Sequence, residues 1–307
     1  MSTANRTYKR KYQTIGHEIL DIESEACGVP DEAYKLLDEL IDHASSIQLP
    51  PPTAAPGSKR QRVVALAKGI AQLLIAKGFE LYIPTKTLGD ALSTAAGSPP
   101  SKHLFDCDTG SLMYMSIAQH LGFSTWLVEV TLPSGSGHNY VRWALDGGET
   151  LDWDTNGQAE CKTPAGQQSY QGVSMSTDAV KGYIHWLRGS AWKEQGELDR
   201  ARADYKTASA LDPTSPHPFN QLAWLIVTEK ALQKPALKAE ALAAATRAVE
   251  IHRLPNYLDT LACAHAAQGD FSTAEKVASE ALAGDSENQE FQSRLKRFKA
   301  KQDCVGL

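Results

Sequence analysis

Three residues between Phe105 and Asn156 have the types, order and local setting that thiol acyl-transfer chemistry needs: Cys107, His138 and Asp154. Cys107 opens a run in which Leu112, Met115, Ala118 and Leu121 recur at helical spacing, stopped by Gly122. A cysteine in the first turn of such a helix faces unpaired backbone N–H groups and the positive end of the helix dipole. Both favour thiolate, the nucleophilic form. The expectation is a Cys107 with a depressed pKa, alkylated before the other cysteines at about pH 6.

Thr125 to Leu132 and His138 to Leu145 are rich in β-branched and aromatic residues and flank the turn-forming Pro133-Ser-Gly-Ser-Gly137. Asp146-Gly147-Gly148 turns the chain again, into a third strand from Glu149 to Asp154 that ends on Thr155-Asn156-Gly157. Folding about that second turn sets positions near 138 to 140 beside positions near 154 to 156. His138 can then hold a carboxylate with one ring nitrogen while the other takes the proton from cysteine, the logic of nucleophile, base and orienter. Asp152 and Asp154 share one face of the strand; Asp154 is chosen for its place at the strand end. His103 is the rival histidine, but its loop position close to Cys107 in sequence makes it a poor base, and it or Ser101 would at most line the site.

A cysteine-capped helix, a histidine-led strand and an acid-ended strand, in that order, resemble the transglutaminase-like superfamily, circularly rearranged relatives of papain-like cysteine proteases. Cys107-Asp-Thr-Gly-Ser-Leu-Met-Tyr through Leu121-Gly122 is similar to the Cys-x-x-x-Ser-Leu-x-Tyr helix of one bacterial branch of that superfamily. Gly137-His138-Asn-Tyr-Val-Arg-Trp143 and Asp152-Trp153-Asp154 resemble its histidine and acid strands. The resemblance covers residues 60 to 156. It implies an α+β, papain/transglutaminase-like core, a Cys helix packed on an antiparallel sheet, with Cys107 as nucleophile, His138 as base and Asp154 as orienter. The chain departs from the branch at Asp106, where glycine or asparagine is usual; a carboxylate there, and Asp108 after the cysteine, oppose thiolate formation by like charge.

The bulk properties narrow the partners. A net charge of −5 and a chain of 307 residues fit a globular protein of more than one domain and argue against nucleic acid or an anionic membrane as the main partner. No signal peptide and no transmembrane span are visible. Cys27, Cys107, Cys161, Cys263 and Cys304 are odd in number and widely spaced, which reads neither as a disulfide framework nor as a zinc pattern and suits a reducing cytoplasm. Cys107, His120, His138 and Cys161 lack compact ligand spacing, so neither a metal nor a cofactor is expected.

Taken in order, residues 1–47 read as an N-terminal helical segment: a polar start, then two helices broken near Gly28-Val29-Pro30, with Glu18, Asp21, Glu23, Glu25, Asp31, Glu32, Asp38 and Glu39 as a solvated face. Residues 48–60 are a Pro-rich linker. Residues 61–176 form the transglutaminase-like domain, including a helix from Gln61 to Lys77, a short helix from Thr85 to Ala96, and a Gln/Ser/Gly-rich loop from Glu160 to Thr177 that can serve as a lid.

Residues 177–303 repeat. Gly189, Trp192, Gly196, Ala201, Tyr205, Ala208 and Pro213 stand at the small and large positions of a tetratricopeptide (TPR) helix pair. Ala262, Gly269, Ala274, Ala278 and Ala281 repeat the offsets, and a middle copy holds Ala223, Trp224, Ala241, Ala245 and Ala248. A capping helix from Glu287 to Lys301 places Phe291, Leu295 and Phe298 on one side and basic residues on the other. The fold class is therefore α+β followed by a C-terminal all-α TPR solenoid. The resemblances together imply a cysteine acyl-transfer enzyme, a peptidase or amidase whose protein or peptide substrate is recruited by the TPR groove. The competing reading is a non-catalytic TPR scaffold that keeps the cysteine fold.

Overall fold

Alternation of apolar and polar residues around Trp143 and Trp153 produces the sheet, and a helix buried on every side fills the space against it. The computed structural model describes residues 7–81, 87–93, 102–131, 137–161 and 173–307. The chain divides into two compact units, Met1–Val180 and Lys181–Leu307.

The first unit is built around α5 (Cys107–His120), whose residues from Thr109 to Ala118 are all buried. A helix buried on all faces needs partners all round. They are α1 (Ile15–Cys27), α2 (Asp31–Ala44), α4 (Leu88–Leu92), and strands β2 (His103–Phe105), β3 (Thr125–Thr131) and β4 (Gly137–Ala144). Short parallel strands β1 (Phe79–Leu81) and β2 (His103–Phe105) pair with each other, after α3 (Ser58–Ala76). The main sheet joins β3 (Thr125–Thr131), β4 (Gly137–Ala144), β5 (Thr150–Asp154), β6 (Ala159–Glu160) and β7 (Val173–Met175) in the order β6-β5-β4-β3-β7. All its pairings are antiparallel, with Arg142 opposite Asp152 and Trp143 opposite Leu151. Burying Leu112, Met113, Tyr114 and Ile117 of α5 contributes roughly 1.5–3 kcal/mol per large side chain, before the entropy cost of ordering them.

Several expectations need correction. The N-terminal helices are not a separate segment: α1 and α2 pack on α5 within one unit, so the Pro-rich stretch 48–60 crosses a single body and its end already belongs to α3. The acidic face is not wholly solvated. Asp38 is 1% exposed, its Oδ2 accepting hydrogen bonds from the Tyr8 hydroxyl and the Lys11 backbone N–H (each 2.8 Å) while its Oδ1 lies 3.2 Å from His17 Nε2. Glu23 is 5% exposed and caps the start of α4, accepting from the backbone N–H groups of Leu88 and Gly89, each at 2.8 Å. Charge spacing alone did not separate these two from their solvated neighbours, because their partners come from elsewhere in the chain. The expected loop from Glu160 to Thr177 contains β7, a strand at the edge of the sheet, and its middle, 162–172, lies outside the described residues, as do Ser101 and the ends, 85–86 and 94–96, of the expected short helix, whose centre is α4.

In the second unit every described element is a helix: α6 (Thr177–Glu194), α7 (Leu198–Leu211), α8 (Pro216–Thr228), α9 (Pro235–Ile251), α10 (Pro255–Ala267), α11 (Phe271–Gly284) and α12 (Gln289–Lys299). Successive helices pair as α8 with α9 and α10 with α11, and the hairpins stack through α8 with α10 and α9 with α10. This is an array of stacked helical hairpins, and the small residues explain how close its helices come. A Cβ at Gly189 would stand 2.7 Å from Tyr205 Cε1 and 3.3 Å from the Ala201 carbonyl oxygen, so only glycine lets α6 approach α7 there. Ala201, Ala208, Ala223, Ala241, Ala245, Ala248, Ala262, Ala274, Ala278 and Ala281 are buried at the matching positions.

Two readings of this region change. Arg294 does not join the basic outer side of α12; it is 7% exposed, its Nε donating to Asp259 Oδ1 at 2.7 Å with the guanidinium over the Trp224 ring. Cys263 and Cys304 are joined in a disulfide and both are fully buried, so the reading of the widely spaced cysteines as lacking disulfide pairing is overturned. The two cysteines are 41 residues apart, and only the return of the chain after α12 brings them together.

Candidate functional site

Cys107 is the first residue of α5, and the helix start is fixed by a reciprocal cap. The Thr109 backbone N–H donates to the Asp106 carboxylate and the Asp106 backbone N–H donates to Thr109 Oγ1, both at 3.0 Å. That explains the carboxylate before the cysteine: Asp106 serves the helix. One turn on, Gly110 keeps α5 tight against the end of β5, since a Cβ there would lie 2.8 Å from Phe105 Cδ2 and 3.1 Å from Thr155 Oγ1. The cysteine is thereby held near the strand that carries Asp154.

The sheet sets the other two residues. Side chains alternate along a strand, so His138, Tyr140 and Arg142 lie on one face of β4, and the register puts Asp152 and Asp154 on the same face of β5. Arg142 takes Asp152, with Nε and Nη2 donating to its two carboxylate oxygens at 2.7 and 2.8 Å. His138 Nε2 lies 3.4 Å from Asp154 Oδ1. The two aspartates therefore have different partners: Asp152 holds an arginine, and Asp154 faces the histidine. Burial pushes the Asp154 carboxyl up, but the hydrogen bond and charge of His138 and the backbone N–H groups of Gly157 and Asn156 more than offset it, leaving the pKa below the ordinary value. With Nε2 turned to the acid, Nδ1 is the ring nitrogen left for a proton from a thiol.

The sulfur is less complete. Its neighbours are Asp108 Oδ1, at 3.7 Å, and the backbone N–H of Asn139; the His138 ring is not among its hydrogen-bond partners. Asp108 also accepts from the Asn139 side-chain amide. Burial, then the Asp108 charge, push the Cys107 thiol up to about 12, with the Asn139 N–H acting in the opposite direction and Asp106 adding a little more. The expected thiolate is thus corrected: the helix start supplies favourable dipoles, yet desolvation and Asp108 outweigh them. Cys161, also a free cysteine, packs against Val128, Val130 and Tyr140, and burial followed by the charges of Asp154 and Asp152 raises its thiol to about 12 as well.

His103 is committed elsewhere: it stacks on Phe79, its Nδ1 lies 3.3 Å from the Ser93 carbonyl oxygen, and burial lowers its pKa. Among the described residues no group of three or more His, Cys, Asp or Glu could hold a metal ion, and no helix is long and apolar enough to cross a membrane. Sequence reasoning missed Asn139, whose backbone meets the sulfur and whose side chain holds Asp108. Its only signal was its place next to His138.

No known family pattern matches the chain, and no curated protein resembles it in sequence. Among solved structures it is similar to the TPR domain of Arabidopsis OM64, 15% identical with a TM-score of 0.36 over 40% of this chain and 98% of that one. The first TPR domain of human RPAP3 is 19% identical, with a TM-score of 0.37 over 40% of this chain and 93% of that one. A thermophilic TPR protein of Thermus thermophilus is 16% identical, with a TM-score of 0.31 over 40% and 63% of the two chains.

Proposed function

We propose that the protein is a cysteine acyl-transfer enzyme of transglutaminase-like type, residues 61–176, that acts on a peptide or protein segment bound by the repeat unit, residues 177–303. The observation that carries this reading is the His138–Asp154 pair on the strands beside the N-terminal turn of α5, with the backbone N–H of Asn139 already at the Cys107 sulfur. Because the free thiol stays protonated, attack is coupled to proton transfer. Sγ bonds to the substrate carbonyl carbon as His138 Nδ1 takes its proton, and Asp154 at Nε2 stabilises the imidazolium that forms. His138 then returns the proton to the leaving amine, and water or a second amine resolves the thioester. Bringing the ring to the sulfur requires the imidazole and thiol to close on each other when substrate excludes water.

A specific observation favours the second reading, a binding scaffold without catalysis: the Cys107 sulfur has the Asp108 carboxylate, and not the His138 ring, as its side-chain hydrogen-bond partner, and burial with that charge pushes the thiol up. Mass spectrometry of the intact chain after incubation with an activated peptide ester separates the two. Catalysis predicts one acyl adduct on native Cys107, absent in Cys107→Ala and formed roughly 100-fold or more slowly in His138→Ala. Asp154→Asn should slow it too, whereas Asp152→Asn should chiefly weaken the sheet through Arg142. Acylation of Cys107 only after denaturation leaves the scaffold reading.

A further inference from the structure

The chain does not end its path at α12. Lys301 takes a left-handed φ of 55°, Gln302 donates back to the Arg297 carbonyl oxygen at 2.9 Å, and Arg297 holds the Asp303 carbonyl oxygen through Nε and Nη2 at 2.9 and 2.7 Å. The segment so turned meets two helices at once. Cys304 is bonded to Cys263 of α10, and the Gly306 backbone N–H donates to the carbonyl oxygen of Thr228, the last residue of α8, at 2.8 Å. α8 and α10 are the first helices of neighbouring hairpins and pack on one another. Trp224 and Cys263 each follow the small residue, Ala223 or Ala262, at the same repeat position, so they belong to one face of the array, with Trp224 under Arg294 of α12 and Cys263 under the turned segment. Stacked helical hairpins present such a face, made by equivalent helices, to extended ligands.

We propose that the face of α8 and α10 is a docking surface for an extended peptide, and that residues 303–307 are its intramolecular occupant, latched by the Cys263–Cys304 disulfide. This rests on the peptide-binding reading above and adds its regulation. The disulfide is the segment's covalent tie to α10, and the one backbone hydrogen bond from Gly306 is its tie to α8. A dithiol reductant opens the latch. One of its thiolates attacks a sulfur of the pair, breaking the S–S bond to give a mixed disulfide, and its second thiol displaces that sulfur. Two electrons and two protons pass to Cys263 and Cys304, which become thiols, while the reductant leaves as its own disulfide. Both sulfurs are fully buried, so the attack follows fraying of residues 300–307.

Reduction frees the segment without removing it, since the short connection to α12 keeps it at high local concentration. Replacing Cys304 has the same effect without reductant. The test uses the full chain as air-oxidised protein, as dithiothreitol-reduced protein, and as Cys304→Ser, with a fluorescent probe peptide Ala-Lys-Gln-Asp-Ser-Val-Gly-Leu taken from residues 300–307 with serine for cysteine.

Two results are expected. Amide exchange at Val305 and Gly306 accelerates at least tenfold on reduction and in Cys304→Ser, and the probe binds those two forms at least tenfold more tightly than the oxidised protein and than it binds a scrambled peptide. A cysteine-containing version of the probe should form a mixed disulfide with Cys263 in Cys304→Ser. Free thiols at both positions in the oxidised preparation, unchanged exchange in 303–307, or a released segment with no gain in probe binding would each overturn the latch. Loss of Cys107 acylation with redox-gated probe binding intact would instead overturn only the catalytic reading.

Discussion

Glu23 carries a charge that the fold disfavours, and replacing it with glutamine measures the cost. Burial is the largest influence on its carboxyl, the backbone N–H groups of Gly89 and Leu88 oppose it, and the net result is a pKa pushed up from 4.5 to about 7. A carboxyl whose folded pKa is raised binds its proton more tightly in the folded state. Its contribution to stability is therefore complete below the unfolded pKa and is lost as pH rises through the folded one. The window runs from about pH 4.5 to about pH 7. At about 1.4 kcal/mol per unit, the shift amounts to about 3 kcal/mol.

Glu23→Gln cannot ionise, so the stability of the native chain relative to this variant should fall by that amount between the two pH values, whatever the constant offset from the amide's different hydrogen bonding. Amide exchange of the buried turns of α5, corrected for intrinsic rates and read as local unfolding free energy, follows the first unit without interference from the repeats. A difference between native and Glu23→Gln that stays flat from pH 4.5 to pH 7 would refute the argument. It would mean that the two N–H donors at α4 fully compensate desolvation of the carboxylate.

Three further outcomes follow from packing and charge. Native Cys107 should react with iodoacetamide at pH 8 far more slowly than in the urea-unfolded chain, because a thiol at about 12 holds roughly a thousandfold less thiolate than an ordinary one. Asp108→Asn should recover part of that rate by removing the nearest negative charge; an unchanged rate would leave burial as the whole cause. Gly189→Ala should cost about 1–3 kcal/mol in urea denaturation of the repeat unit, since the new methyl meets Tyr205, and a neutral result would mean that α6 can move off α7 without loss.

The sequence determined the helices and strands whose periodicity is local. Gly189, Tyr205 and the regularly spaced alanines fixed the repeat register, because close helix packing needs small residues at set intervals. Alternation in β4 and β5 placed His138 and Asp154 on one face, because the side-chain period of a strand is two. Tertiary structure decided what those residues experience. Asp152 and Asp154 look alike in sequence; Arg142 claims one and His138 faces the other. The helix start at Cys107 argued for thiolate, but desolvation by the elements packed round it and the charge of Asp108 outweigh the dipole. Glu23 and Asp38 belong to an acidic run that reads as solvated, and they are buried because their partners come from distant or flanking segments: α4 for Glu23, Tyr8, Lys11 and His17 for Asp38. Cys263 and Cys304 show the same limit most plainly. Spacing gives no hint of a bond between residues 41 apart, and their pairing depends on a turn after α12 that only the folded chain makes.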